Sequence, residues 1–308
     1  MTLVTLESIG WRSAALAMAV SLLRSGNQVS LKLALTALTP FWTAFARMAV
    51  SAAAVGAWGR FRGVPLRPQR GEWRSLFYLT LLFLVQIGLL HYGADLTSPA
   101  YAVVLMNSNP IWANFIAHFL VPEDRLSAVR LTGLTLAFGG ICGVFLGRPD
   151  ASLAPNPAVG NSLVLAAAVA AAVRTVYTQR LVQWVEPLKT VFWQTTLSIP
   201  FFLVGAGFEN AQHRQRLSWI PVAGVLYQGL AVGAAGLILW AYLLKKHSPG
   251  GLSVFSFAIP IFGMLLSAWL LSERLTPRLL LGVGAVLGGI YLATRSAAAP
   301  ADRAEPAE

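Results

Sequence analysis

"YGADLTSPAYAVVLMNSNPIWANFIAHFLVPEDRL" (residues 92–126) and "YLLKKHSPGGLSVFSFAIPIFGMLLSAWLLSERL" (residues 242–275) are two versions of one pattern. Tyr92 precedes Pro110 by eighteen residues, and Tyr242 precedes Pro260 by the same number. Thirteen further residues lead to Glu123 in the first stretch and to Glu273 in the second. Beyond one extra residue, Asp124, the pair Gly139-Gly140 answers Gly288-Gly289. Proline, glutamate and paired glycines kept in register this far mark an internal repeat.

The medium in which the repeat folds follows from composition. Of 308 residues, 56% are hydrophobic and only 11% charged, with a mean hydropathy of +0.64. A soluble domain carries about 25% charged residues, so the solvent for this chain is lipid. Crossing the hydrocarbon takes roughly 20 apolar residues. Ten runs qualify, near 11–33, 40–58, 74–94, 99–120, 127–147, 160–182, 188–207, 218–244, 250–271 and 277–295. Short connections make sequential runs antiparallel neighbours. The expected fold is therefore all-α, with ten transmembrane helices in two five-helix repeats. Because five is odd, the second copy is inverted, an architecture of many secondary transporters. Residues 1–150 form the first repeat and 156–297 the second, followed by a disordered tail at 298–308. The apolar N-terminus is read as a retained first span rather than a cleaved signal.

The net charge of +11 points to membrane topology, not to nucleic acid. With the N-terminus inside, fourteen Lys and Arg fall in cytoplasmic segments, five of them in the connection between the second and third spans. Five lie opposite: Arg148, Arg214, Arg216, Arg274 and Arg278. That imbalance places both termini in the cytoplasm. The lone Cys142 precludes an intramolecular disulfide.

Four basic residues remain within spans: Arg24, Lys32, Arg47 and Arg174. Arg24 and Arg174 are 150 residues apart, the same offset as Pro110 and Pro260. A lipid-facing arginine is costly, so both are expected to point inward. Asn27 and Gln28 follow Arg24 at helical spacing, and Tyr177 and Thr178 follow Arg174. Snorkelling toward the surface competes for Arg174, which is close to Arg180, and a structural pairing competes for Arg24. Lys32 and Arg47 lie nearer span ends and read as orienting or packing residues. Asn107 and Asn109 cluster before Pro110, and Ser253 and Ser256 precede Pro260. Polar groups beside a broken helix point to a transporter site, with interhelical hydrogen bonding as the competing role. Gln86, His91, Tyr227 and Gln228 are secondary candidates, and the glycine pairs read as close helix packing.

The absent motifs exclude other chemistry. The sequence has no Walker A motif, no HExxH and no GxSxG, so neither an enzyme nor a metal or cofactor site is expected. Its acidic residues sit near span ends, which favours facilitated diffusion or exchange over strong proton coupling.

"SGNQVSLKLALTALTPFWTAFARMAV" (residues 25–50) and "SPAYAVVLMNSNPIWANFIAHFLVPEDRLSAVRLTGLTLAFGGICGVFL" (residues 98–146) resemble the opening and close of the EamA domain of the drug/metabolite transporter superfamily. The second half repeats the resemblance. It implies a bundle around a central cavity, a bacterial-type inner membrane, and transport of small metabolites, often outward. It also puts Asn27, Lys32, Pro40, Arg47, Pro110, Glu123, Trp240, Pro260 and Glu273 at familiar positions. Arg24 and Arg174 stand where such proteins usually carry tryptophan. The expectation is an exporter of amino acids or organic acids working by alternating access, with a small-molecule substrate and membrane lipids as partners. The alternatives are a flippase for a lipid or isoprenoid carrier, or a membrane-embedded enzyme. The sequence leaves the oligomeric state open.

Overall fold

Proline sets where many of the helices begin. Its fixed φ and missing N–H suit the first helical turn, and Pro40, Pro99, Pro157, Pro187 and Pro277 each open a helix. The residues before three of them serve as caps. Ser98 accepts from the Tyr101 N–H at 3.5 Å, Asn156 from Val159 at 3.4 Å, and Thr276 from Leu279 at 3.2 Å. The structure, a computed structural model, describes residues 10–109, 111–112, 116, 128–145, 152–210, 218–247, 252, 255 and 258–295. Its helices are α1 (Trp11–Ser25 and Asn27–Leu35), α2 (Pro40–Phe61), α3 (Glu72–Leu96) and α4 (described over Pro99–Met106). They continue as α5 (Ala128–Phe145), α6 (Pro157–Leu181), α7 (Pro187–Ala206), α8 (Trp219–Lys246), α9 (Ala258–Leu271) and α10 (Pro277–Arg295). The ten expected runs thus correspond to ten helices. Among the described residues there is no strand, and α3, α6 and α8 are each long and apolar enough to cross a bilayer unaided.

The packing obeys the repeat. Helix α2 packs on α7, α4 on α9 and α5 on α10, while α3 packs on α6 and α1 on α8. Exchanging the first five helices with the last five maps the first three pairs onto themselves and interchanges the other two. The α5–α10 seam is closed by glycine, as expected for the glycine pairs. A Cβ at Gly140 would lie 2.7 Å from the Gly282 carbonyl, and one at Gly289 would collide with the backbone of Gly133 and Ala137. Along the outer face of this seam runs an apolar groove of about 530 Å³, lined by Leu136, Gly139 and Leu281 among others. It lies on helices other than those that carry Arg24, Arg47 and Arg174.

Two helices depart from regular geometry. Helix α1 is interrupted at Gly26, and the Leu23 carbonyl just before the break accepts from the Tyr227 hydroxyl of α8 at 2.7 Å. A Cβ at Gly26 would sit 2.7 Å from that same hydroxyl, so glycine permits the contact. From Tyr227 to Gly236, α8 widens into a π-helix, a form often found at functional sites. The break and the wide turn meet at Tyr227.

Charged side chains tie the helix ends together. The Lys32 ammonium donates to the carbonyls of Ala94, Asp95 and Thr97 at 3.1, 3.0 and 2.9 Å, capping the C-terminus of α3. Glu209 accepts from the Phe41 N–H at the start of α2 with both oxygens, and Glu273 from the Ala100 N–H at the start of α4. At the other end of the bundle, Lys189 of α7 pairs with Glu72 of α3 at 3.0 Å, with both side chains buried. The last three of these contacts join one repeat to the other.

Candidate substrate site

Three arginines converge where the repeats meet. Arg24 of α1 holds its guanidinium carbon 5.2 Å from the centre of the Trp240 ring on α8. Arg174 of α6 sits 5.4 Å over Phe83 of α3, and its Nε donates to Gln86 Oε1 at 2.5 Å. Each arginine of the repeat-related pair therefore stacks on an aromatic ring in the third helix of the other repeat. Arg47 of α2 is only 4% exposed, and donates to Gln228 Oε1 at 3.4 Å. The charges of Arg24 and Arg47 both act on Arg174.

No carboxylate neutralises the cluster among the described residues. The two buried acids there, Glu72 and Glu273, are engaged by Lys189 and by the Ala100 N–H with Ser267. Like charges brought together away from bulk water repel one another. The arrangement therefore carries uncompensated positive charge in a medium that penalises it.

Polar atoms near the arginines are also left without partners. Arg47 Nε is buried and unbonded, as are Asn27 Oδ1 and Gln28 Oε1 beside the α1 break. His91, one turn beyond Ile87 on α3, is fully buried. Its Nδ1 donates to the Ile87 carbonyl at 2.9 Å, while its Nε2 has no partner. Leaving a buried polar group unsatisfied costs about 1–3 kcal/mol. Arg47 Nε, Asn27 Oδ1, Gln28 Oε1 and His91 Nε2 are thus buried polar atoms still open to a partner.

The structure distributes the remaining sequence candidates unevenly. Tyr177 donates to the Ser75 carbonyl at 3.2 Å and packs with Leu76 and Leu181, while Thr178 bonds back to the Arg174 carbonyl at 2.8 Å. Their hydroxyls are thus committed to helix packing in this conformation. Asn107 donates to the Val103 carbonyl at 2.8 Å where regular helix α4 ends, and Asn109 is half-buried just beyond. Ser253, Ser256 and Pro110 lie outside the described residues. Arg47, read from the sequence as a packing residue, joins the arginine cluster. The secondary candidates Gln86 and Gln228 are the hydrogen-bond acceptors of two of its members.

A ten-helix bundle with a repeat-related arginine pair still needs a family. The profile of the EamA-like transporter family matches twice, over residues 11–146 and 158–295. The chain belongs to the EamA-like transporter family. Its relatives are transporters, not enzymes. A chain named "Uncharacterized transporter" from Archaeoglobus fulgidus is 24% identical over 89% of this chain and 94% of its own length. "Uncharacterized transporter YetK" of Bacillus subtilis is 27% identical over 69% of this chain, which spans 64% of that protein. The "Probable amino-acid metabolite efflux pump" of Escherichia coli is 26% identical over 70% of this chain and 73% of its own length. A solved structure superposes with a TM-score of 0.68 at 22% identity, covering 92% of this chain and 97% of that one, and so shares the EamA-like fold.

Proposed function

We propose that this EamA-like transporter carries small metabolites bearing an anionic group, amino acids or organic acids first, across a bacterial-type cytoplasmic membrane by alternating access. Export is the proposed direction, with both termini in the cytoplasm. The observation that carries this reading is the uncompensated cluster of Arg24, Arg47 and Arg174. A guanidinium presents a planar fork that takes a carboxylate or phosphate bidentately. An anion bound there relieves the mutual repulsion and occupies donors that have no acceptor of their own. Asn27 and Gln28 lie within reach of the same break in α1, and Asn107, Asn109, Ser253 and Ser256 are proposed to line the path through α4 and α9. Tyr177 enters the site only if α6 moves relative to α3, and Thr178 only if its hydroxyl turns from the Arg174 carbonyl. Cross-repeat contacts at both ends of the bundle, Glu72–Lys189 at one and Glu209–Phe41 with Glu273–Ala100 at the other, supply closures that can alternate. The name of the Escherichia coli relative accords with an amino-acid-like cargo.

Thermal stabilisation tests the substrate class. A ligand at 100 times its Kd stabilises the folded state by about 2.7 kcal/mol. Purified protein is expected to melt higher with one or more of a panel of amino acids and organic acids, and to be unmoved by their neutral amides or by nucleosides. Stabilisation by neutral compounds alone would sink the anionic reading. Topology is checked by single cysteines, in a Cys142→Ser background, at the N-terminus and in the 148–158 connection. They are expected to label from opposite sides, and labelling from one side refutes the orientation.

A further inference from the structure

The connection between α2 and α3, "GRFRGVPLRPQRGEWR" (residues 59–74), carries five arginines and one acid. The acid is unavailable to them. Glu72 is 5% exposed, accepts from Lys189 at 3.0 Å, and takes the Gln69 N–H at 2.7 Å. Arg60, Arg62, Arg67, Arg70 and Arg74 are all exposed. The loop beneath them is held in place at several points. Gly63 turns the chain with a φ of 64°, Val64 donates to the Gly59 carbonyl at 2.9 Å, and Leu66 packs on the Cα of Gly59. Trp193 of α7 donates to the Leu66 carbonyl at 2.6 Å, so the loop is fastened across the repeats.

Aromatic side chains on the same two helix ends mark the depth of this platform. Trp58, Phe61, Trp73, Phe77 and Tyr78 are all exposed there. Amphipathic rings gather where hydrocarbon meets the headgroup layer. Rings at that boundary would put the neighbouring arginines at the level of lipid phosphates. The repeat supplies an internal control. Under the exchange of halves, this connection corresponds to that between α7 and α8, "GFENAQHRQRLS" (residues 207–218), which carries two arginines and a glutamate. The fold itself does not demand the basic fan, since the equivalent connection lacks it.

We propose that residues 60–74 form a binding site for anionic phospholipid headgroups, with the arginine forks on lipid phosphates and the flanking aromatic rings against the upper acyl chains. The backbone beneath the arginines is fixed in advance, so binding orders side chains and not the loop. Basic residues at an anionic surface contribute additively and are screened by salt.

Native mass spectrometry of the purified protein in micelles containing equal palmitoyl-oleoyl phosphatidylglycerol and phosphatidylcholine tests this. The parent is expected to retain phosphatidylglycerol in preference, by about tenfold or more. Replacing all five arginines with glutamine should abolish the preference, and replacing them with lysine should leave it partly intact. The melting temperature in phosphatidylcholine alone should not change for either variant, which separates lost binding from lost folding. Equal retention of the two lipids by the parent overturns the proposal and leaves the arginines as orientation signals used only during insertion. Displacement of phosphatidylglycerol by glycerol 3-phosphate also overturns it, in favour of a soluble phosphate ligand.

Discussion

Arg24→Gln is expected to weaken binding of the acid substrate by roughly thirtyfold while leaving the response to its neutral amide unchanged. A hydrogen bond to a charged group contributes about 2 kcal/mol, and that converts to the stated factor. Glutamine fills similar space and keeps a donor but removes the positive charge. Arg24→Lys keeps the charge and loses the planar fork, so its loss should be measurable and smaller. Trp240 stacks on either cation, which leaves the position of the helix largely unaffected. Transport of an acid and its amide by the two variants separates the roles. If Arg24→Gln handles the acid as well as the parent does, the residue only packs against Trp240, and the anionic cargo is refuted.

The largest effect on folding is expected from Glu72→Ala. It leaves the Lys189 ammonium buried, 6% exposed, without its carboxylate. Breaking a buried pair on one side costs about 3–5 kcal/mol. The Gln69 N–H loses its acceptor as well, loosening the start of α3. Replacing both partners, Glu72→Leu with Lys189→Met, should recover most of the loss, because an apolar pair of similar volume needs no desolvation. Melting temperatures of the single and double variants in one detergent decide the matter. A double variant as unstable as the single one would show that the cost lies in the Gln69 contact and not in the stranded charge.

The features that proved legible in the sequence are those written in periodic or covalent terms. The apolar runs located ten helices, and the prolines at 40, 99, 157, 187 and 277 located starts, because both act through local chemistry. The fixed spacing of proline, glutamate and glycine exposed the repeat. The Gly26 break and the π-helical turn of α8 were not visible, since each changes a few hydrogen bonds without altering composition. The partner of Arg47 was not legible, because depth along a span says nothing about which neighbour a side chain meets. Its acceptor Gln228 lies 181 residues away. Tyr177 and Thr178 were assigned from symmetry with Asn27 and Gln28, yet their hydroxyls bond to α3 and to their own helix. Symmetry in sequence fixes the position of a residue, and the packing around it decides its partner.

The arginine cluster also has an electrical consequence. Under the proposed alternating access the membrane field would fall across whichever side is closed, so charges fixed between the two closures would pass from one end of that field to the other while hardly moving. Each elementary charge so displaced exchanges about 2.3 kcal/mol per 100 mV. In that proposed cycle an unloaded carrier would displace the charge of Arg24, Arg47 and Arg174 uncompensated, whereas one loaded with an acid would displace less. The unloaded return is then the voltage-burdened leg of the cycle, and a second acid bound on the far side lightens it.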